Sequence, residues 1–265
     1  MATAKKATKT TGTAVAVKKA SSTAVANIQE TLRQQAEVNA SRIGGSGGRS
    51  IRVGQDKSFT LPDGTKTREP LELVVVDFIS RNEWYDRPFS KDDMGPPACF
   101  AISPEHKGMV PSDSSPIKQA DACNDCEMNV YGSSPTGAGK ACGNTRLLAV
   151  LPPDGDENDE LWTLKVSPTA LKEFDGFVAG VNRMFTLPPV GVVVTVGFNE
   201  GKDYPSLTFS NPQPNENVAA HLGRQTEARE LLMAEPDVST FVPYEGGKKA
   251  APRGRVVPVR RAATR

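Results

Sequence analysis

The chain has 265 residues, of which 37% are hydrophobic and 24% are charged, and these proportions are ordinary for a globular protein. It contains no run of eighteen apolar residues, which argues against a transmembrane helix, and no apolar stretch follows the basic N-terminus as it would in a secretory signal. We therefore expect a soluble cytoplasmic protein with reduced cysteines.

The net charge of +1 conceals an uneven distribution of charge along the chain. Residues 1–25 contain five lysines and no acidic residue, and residues 248–265 contain seven basic residues and no acidic one. The part between them has 20 basic residues against all 31 acidic ones, a net charge of −11. This asymmetry predicts terminal segments that bind polyanions and a body that does not bind them over its whole surface.

Composition divides the chain into four segments. Residues 1–25 lack a hydrophobic period and are expected to form a disordered basic tail, and residues 234–265 a second one. Residues 26–49 are expected to combine a short, weakly apolar helix with a Gly-rich hinge. Residues 50–233 are expected to form a single globular domain.

The predicted elements of this domain are mostly strands. A β-branched, nearly continuous apolar run over 71–80 predicts a central strand that is buried on both faces. Further strands are expected near 51–59 and at 99–103, 146–151, 161–166, 190–198 and 206–210.

Two helices complete the predicted domain. One is expected to be capped by Ser167, with Pro168 at its first position, and the other to run over 217–233 after a break at 211–214. The pattern indicates an α+β, β-rich fold. Either an OB-like Greek-key barrel or an antiparallel sheet fits it, in each case with a metal-binding loop and two packed helices.

All four cysteines lie in one window, at Cys99, Cys123, Cys126 and Cys142. A Cys-x-x-Cys pair can bind one ion because both thiolates point inward from a tight turn, and a further cysteine some 15 residues later is typical of zinc sites. We predict a structural zinc ion, because four thiolates leave no open position for a catalytic water. An iron–sulfur cluster, two disulfides and unrelated buried cysteines remain alternatives, and His106 could replace Cys99 as a ligand.

Aromatic and basic residues are interleaved around this window. Aromatic rings stack on unpaired bases and Lys or Arg side chains bind phosphates, a combination typical of single-strand binding with little sequence preference. Alternatively, Trp84 packs under the loop and Tyr85 lies flat on the surface, while Trp162 is interpreted as a core residue. The candidate DNA-binding residues are Arg81, Trp84, Tyr85, Arg87, Tyr131, Lys140 and Arg146.

No Ser/His/Asp arrangement is visible, and two histidines leave little scope for general-base chemistry. We therefore predict that the protein is not an enzyme. A nuclease or another DNA enzyme would require clustered acidic residues with a lysine at the end of the central strand, where Asp77 is the single carboxylate.

Several motifs carry a resemblance that spans roughly residues 69–232. They are Pro96–Ile102, Cys123–Cys126, Tyr131–Ser133, Gly139–Cys142 and Arg146–Leu151. In these motifs the chain resembles phage-encoded single-stranded DNA-binding proteins, and it is similar to the zinc-containing OB-fold helix-destabilising proteins of tailed phages. The resemblance implies sequence-nonspecific binding of single-stranded DNA during phage DNA replication or recombination, in the host cytoplasm, with self-association or replication proteins as partners.

The chain departs from that family in two respects. The helix-destabilising proteins bind zinc through three cysteines and a histidine, whereas this chain offers four cysteines. Their C-terminal tail is acidic and recruits replication partners, whereas residues 248–265 are basic. A non-enzymatic virion structural or adaptor protein with a structural zinc site is the alternative function, and the net charge of the body favours it.

Overall fold

The computed structural model describes residues 48–88 and 95–244, together with Thr31 and Gln35, which are both helical. The chain divides into two compact units, Met1–Gly47 and Gly48–Arg265. The predicted basic tail over 1–25, nearly all of the predicted N-terminal helix and residues 245–265 lie outside the described residues. The second unit is α+β and mostly sheet.

The described residues of the second unit form nine strands and three α-helices, with short 3₁₀ turns at Glu127–Asn129, Pro168–Ala170 and Pro189–Gly191. The strands are β1 (Ser50–Val53), β2 (Phe59–Thr60), β3 (Lys66–Thr67), β4 (Leu71–Trp84), β5 (Cys99–Ser103), β6 (Gly143–Leu151), β7 (Trp162–Val166), β8 (Val192–Phe198) and β9 (Leu207–Pro214). The helices are α1 (Leu171–Phe185), α2 (Val218–Gly223) and α3 (Gln225–Met233).

The strands pair in the order β3-β2-β1-β7-β6-β4-β8-β9, and β5 pairs with β4 beside this path. All described pairs are antiparallel except β1 with β7, which is parallel. The sheet is therefore mixed rather than purely antiparallel, and it curls into a half-barrel.

Strand β4 is the centre of the sheet. Its 14 residues pair with β6 from Val74 to Glu83 along one edge. The other edge is shared between β8, over Leu71–Val74, and β5, over Ser80–Trp84. The strand predicted over 71–80 is present, and it continues to Trp84 because β5 and β6 go on pairing with it.

The inner face of the curled sheet holds the larger core. Leu73, Val75, Leu148 and Leu164 are buried there beneath α1. From α1, Phe174 packs edge-on against Phe78, with ring centroids 5.1 Å apart. Burial of each such side chain contributes about 1.5–3 kcal/mol, so this core fixes the curvature of β4, β6 and β7.

The two ends of the sheet approach each other through side chains. Phe59 of β2 stacks on Phe198 of β8, with centroids 4.5 Å apart and an interplanar angle of 27°. Next to this stack, Lys57 Nζ lies 3.6 Å from Glu200 Oε2. Aromatic packing therefore brings β2 and β8 together, and no backbone ladder joins these two described strands.

The outer face carries a smaller core under α3. Ala228 and Leu232 pack on Val76, Ile79 and Leu151. At one edge of this core Arg229 pairs with Asp77. Helix α3 thus covers the outer face of β4 as far as Ile79. Beyond Ile79, α3 does not cover this face.

Three local predictions differ from the structure. Residues 211–214, predicted as a break, belong to β9, and their prolines are tolerated because β9 is an edge strand. The helix predicted over 217–233 is divided into α2 and α3 at Arg224, whose Nη1 donates to the carbonyls of Asp156 and Asp159. Ser167 does not cap an α-helix directly, because a 3₁₀ turn precedes Leu171.

The C-terminal tail was predicted to begin at residue 234, whereas Glu235 and Tyr244 contact the folded body. Ser112 donates to Glu235, and the amide of Tyr244 donates to Asp86 Oδ2 at 2.7 Å. Contacts with the body therefore extend to Tyr244, beyond the predicted start of the tail. Among the described residues, no helix is both long and apolar enough to cross a membrane.

Candidate functional site

The four cysteines meet at the end of β4. Cys99 opens β5, Cys142 directly precedes β6, and Cys123 and Cys126 come from the long loop between these strands. All four are buried and none forms a disulfide. They line one small cavity, together with Asn82, Trp84 and Asn129 among others.

Backbone hydrogen bonds hold the loop in this position. The amide of Cys123 donates to the carbonyl of Met109 at 2.9 Å, and that of Cys142 donates to Met128 at 2.8 Å. The loop closes where the amide of Gly132 donates to the carbonyl of Gly139 at 2.7 Å. Both glycines have φ near +90°, a conformation that favours glycine.

A chain of polar side chains leads from the surface to the thiols. Lys140 Nζ donates to Asn144 Oδ1 at 2.9 Å, and Asn144 Nδ2 donates to Asn82 Oδ1 at 2.6 Å. Asn82 in turn hydrogen-bonds Cys123 and lowers its pKa, against a larger increase caused by burial. Lys140 is also held by Asn129 Oδ1 at 3.0 Å.

The thiols influence one another electrostatically. Burial raises the pKa of Cys142 to about 12, and the charges of Cys123, Cys126 and Cys99 add to this increase. Without a cation the buried cluster therefore disfavours thiolates, because each new negative charge is poorly solvated and repelled by the others.

The placement of the thiols is looser than that of a closed metal cage. Within the described parts of the chain, no group of three or more His, Cys, Asp or Glu side chains is arranged so that it could hold a metal ion. The shared cavity and the mutual effects on pKa nevertheless put the four sulfur atoms in one neighbourhood. His106 is exposed and does not line this cavity.

Strand pairing separates the predicted DNA-binding residues of β4 and β6. Arg146 lies opposite Ser80, and Trp84 lies opposite Cys99, so both belong to the inner face. Arg81 lies on the outer face of β4, and Tyr85 follows the last residue of this strand. The sheet thus places Arg81 on the face opposite to Trp84, which lies beside the cysteines.

Three of the predicted cations are engaged by acidic side chains of the protein. Arg81 Nε lies 3.0 Å from Glu83 Oε1, and Arg146 Nη2 lies 3.3 Å from Asp175 Oδ2. Arg87 Nε lies 3.2 Å from Asp86 Oδ1. Arg87 also donates to the carbonyl of Val242, and its guanidinium group lies 5.7 Å from the centroid of the Tyr244 ring.

Exposed rings are found at several loops and strand ends. Tyr85 is 44% exposed and Tyr131 78%, whereas Trp84 and Trp162 are only partly exposed, and Trp162 packs against the inner core. Sequence reasoning missed Tyr204, which is 44% exposed in the loop between β8 and β9. The signal available for it was its position beside Lys202 in a Gly- and Pro-containing turn.

No protein-family model, no curated protein and no solved structure matches the chain.

Proposed function

We propose that the protein binds single-stranded DNA through an OB-type barrel made of β4, β6, β7, α1, β8 and β9. One observation carries the proposal: the pairing order of these strands. β4 pairs with β6 and β6 with β7, the chain crosses through α1, and β8 then pairs with both β4 and β9. Five strands in such an order, curled around one core, match a partly open Greek-key barrel.

In an OB fold, oligonucleotides bind on the face of strands 2 and 3 and at the loops between strands 1 and 2 and between strands 4 and 5. Under the proposed OB correspondence, those strands are β6 and β7. The first loop runs from β4 to β6 and contains the cysteines and Tyr131, and the second runs from β8 to β9 and contains Tyr204. An exposed ring in each loop provides a stacking surface that accepts any base.

The excess of acidic side chains limits how the second unit can contribute to DNA binding. The described residues of the second unit include 17 basic and 26 acidic side chains. Phosphate contacts on this unit must therefore be local, and the basic segments over 1–25 and 248–265 supply the remaining, sequence-independent attraction. This division places stacking on the barrel and most of the salt dependence on the two terminal segments.

We further propose that Cys99, Cys123, Cys126 and Cys142 bind one structural zinc ion. The chemistry of the donor set supports this proposal, because four buried thiols share one cavity and Asn82 provides a hydrogen bond to one sulfur. Zinc would neutralise thiolates that burial otherwise disfavours, and it would crosslink the loop to β5 and β6. An iron–sulfur cluster would use the same four ligands.

The proposed setting is DNA replication or recombination of a phage, in the cytoplasm of its host. Equilibrium binding to oligo-dT and to duplex DNA over a range of salt concentrations tests the proposal. The protein should prefer the single strand, and residues 48–247 should keep that preference with a flatter salt dependence. The preference would then belong to the barrel and not to the terminal segments.

A non-enzymatic structural or adaptor role is the second candidate, and the excess of acidic residues together with the paired state of Arg81, Arg87 and Arg146 favours it. Under that role residues 48–247 should not bind oligo-dT even at low salt. The full chain should then bind single strands and duplex alike, through its terminal segments alone.

A further inference from the structure

The outer face of β4 carries a charged cluster beyond the patch that α3 covers. Its members are Arg81 and Glu83 of β4 and Lys165 of β7. Glu83 is 8% exposed, and its two carboxylate oxygens face the two cations, Oε1 toward Arg81 Nε at 3.0 Å and Oε2 toward Lys165 Nζ. One buried carboxylate thus serves two positive charges and leaves a net charge of +1.

Strand register explains why these groups meet. Leu147 of β6 lies opposite Ile79 on one side and opposite Lys165 on the other, so Lys165 belongs to the same face as Arg81. Glu83 lies opposite Gly143. Because a glycine has no side chain, no β6 side chain at this position separates Glu83 from Lys165.

The cluster is not satisfied internally. Within the part of the chain that the structure describes, the buried Nε atom of Arg81 lacks a hydrogen bond. It lies 3.0 Å from Glu83 Oε1, so the contact is electrostatic without the alignment of a hydrogen bond. A buried donor left in this state costs free energy, so the Arg81–Glu83 ion pair is weaker than an aligned one.

We propose that Arg81 and Lys165 form a phosphodiester-binding subsite on the outer face of β4, β6 and β7, and that Glu83 is the carboxylate with which the phosphate shares these cations. This subsite rests on the proposed single-strand function. Its position fits that function, because the outer face of β6 and β7 is where an OB fold binds oligonucleotides. Tyr85, two residues beyond Glu83 and just past the end of β4, provides a nearby exposed ring for a base.

If phosphate and Glu83 share the two cations, removal of a positive charge and removal of the negative charge should have opposite effects on DNA affinity in the full-length protein. Lys165→Gln should weaken binding to oligo-dT several-fold and reduce the slope of log affinity against log salt by about 0.7, the value for one phosphate contact on a single strand. Glu83→Gln should strengthen binding several-fold and steepen that slope, because the phosphate no longer competes with a carboxylate for the cations.

Two matched controls separate the subsite from net charge. Lys172→Gln removes an exposed lysine of α1, and Glu173→Gln removes an exposed carboxylate of the same helix. Each changes the net charge as its counterpart does, and neither should change affinity by more than a fraction of the counterpart's effect. If Glu83→Gln weakens binding or matches Glu173→Gln, Glu83 only positions Arg81 and the sharing proposal is overturned.

An NMR titration of the unmodified protein gives a readout that does not depend on long DNA. Thymidine 3′,5′-bisphosphate should shift the Nε–H signal of Arg81, identified by its loss in Arg81→Lys. If oligo-dT binds but the bisphosphate leaves this signal unchanged, the subsite is wrong and the single-strand function stands. If the bisphosphate shifts the signal and oligo-dT does not bind, the subsite stands as a phosphate site and the proposed function fails.

Discussion

Asn144 Nδ2 donates a hydrogen bond of 2.6 Å to Asn82 Oδ1 across the β4–β6 ladder, which leaves the amide nitrogen of Asn82 directed at the sulfur of Cys123. The orientation of one amide is thus fixed by its neighbour, and a hydrogen-bond donor is held ready for a thiolate. Donors of this kind around metal-bound ligands fix ligand orientation and tune affinity.

Replacement of Asn82 by alanine should therefore act on both stability and metal affinity. The free energy of unfolding should fall by about 1–3 kcal/mol, because the partly buried amide of Asn144 loses its acceptor. Zinc affinity should fall about 10- to 100-fold, as is usual for outer-shell partners. Urea denaturation and competition with a zinc chelator measure the two effects.

Asn182→Ala provides the control for this change. Asn182 is exposed on α1, so the substitution should leave zinc affinity unchanged. Equal zinc affinity of Asn82→Ala and the unmodified protein would remove Asn82 from the metal site.

Loss of one thiol should abolish the metal site itself. Elemental analysis should give about one zinc per chain for the unmodified protein, and Cys126→Ser should lose the zinc along with much of its stability. His106→Ala is the matched control, because His106 is exposed outside the cavity and its loss should leave the zinc in place. If the purified protein is brown and contains iron, the site binds an iron–sulfur cluster and not zinc. If Cys126→Ser retains zinc, the assignment of Cys126 as a ligand is contradicted.

The pH dependence of stability should change sign with the metal. In the metal-free protein the pKa of Cys142 is raised from an ordinary 9.0 to about 12, chiefly by burial. A raised pKa means that folding favours the protonated thiol, so this stabilisation is complete below about pH 9 and is lost as the pH rises toward 12. With zinc bound the thiols must be deprotonated, so protons compete with the ion and stability falls as the pH decreases.

Denaturation midpoints from about pH 6 to about pH 10, measured with zinc and with a chelator, test this reversal. The chelated protein should lose stability toward the alkaline end and the zinc-loaded protein toward the acidic end. Identical pH profiles in the two conditions would mean that no metal is bound to these thiols.

The parts of the fold that could be predicted from the sequence are those encoded locally. The apolar run over 71–80 marks the central strand whatever its partners are, and the close spacing of Cys123 and Cys126 indicates a shared neighbourhood before the loop is traced. The acidic partners of the Lys and Arg side chains could not be predicted from local sequence in this way. Arg146 meets Asp175 from 29 positions away, and Lys165 meets Glu83 from 82 positions away, because strand pairing and not sequence proximity decides these contacts.

For the same reason the role of His221 could not be predicted, because its sequence context is not distinctive. It is fully buried, and its ring lies 2.9 Å from Asn215 Nδ2 and 2.8 Å from the carbonyl of Gly155. Since the amide nitrogen of Asn215 can only donate and the carbonyl can only accept, the ring accepts through Nδ1 and donates through Nε2. It thereby ties α2 to the acidic loop at 152–160, a structural role that only the tertiary fold reveals.

The contributions of base stacking and of charge to DNA binding should be separable by substitution. This separation is the most direct test of which contribution comes from the barrel and which from the terminal segments. Tyr85→Ala, Tyr131→Ala and Tyr204→Ala should each cost on the order of 1–3 kcal/mol of affinity for oligo-dT where a base stacks on the ring. The salt slope should not change, because every phosphate keeps its cationic partner. Phe185→Ala is the control, since Phe185 is 40% exposed on α1 and lies outside both loops.

A chain that ends after residue 247 should behave in the opposite way. It keeps the interactions of residues 234–244 with the body but lacks the seven basic residues over 248–265. The salt slope should flatten by about 0.7 for each phosphate that these residues would otherwise bind, while the free-energy cost of each tyrosine substitution at a fixed salt concentration stays the same. If the tyrosine variants bind as tightly as the Phe185→Ala control while this truncation abolishes binding, the rings are not stacking platforms. The terminal segments would then be general polyanion anchors on a body that serves another purpose.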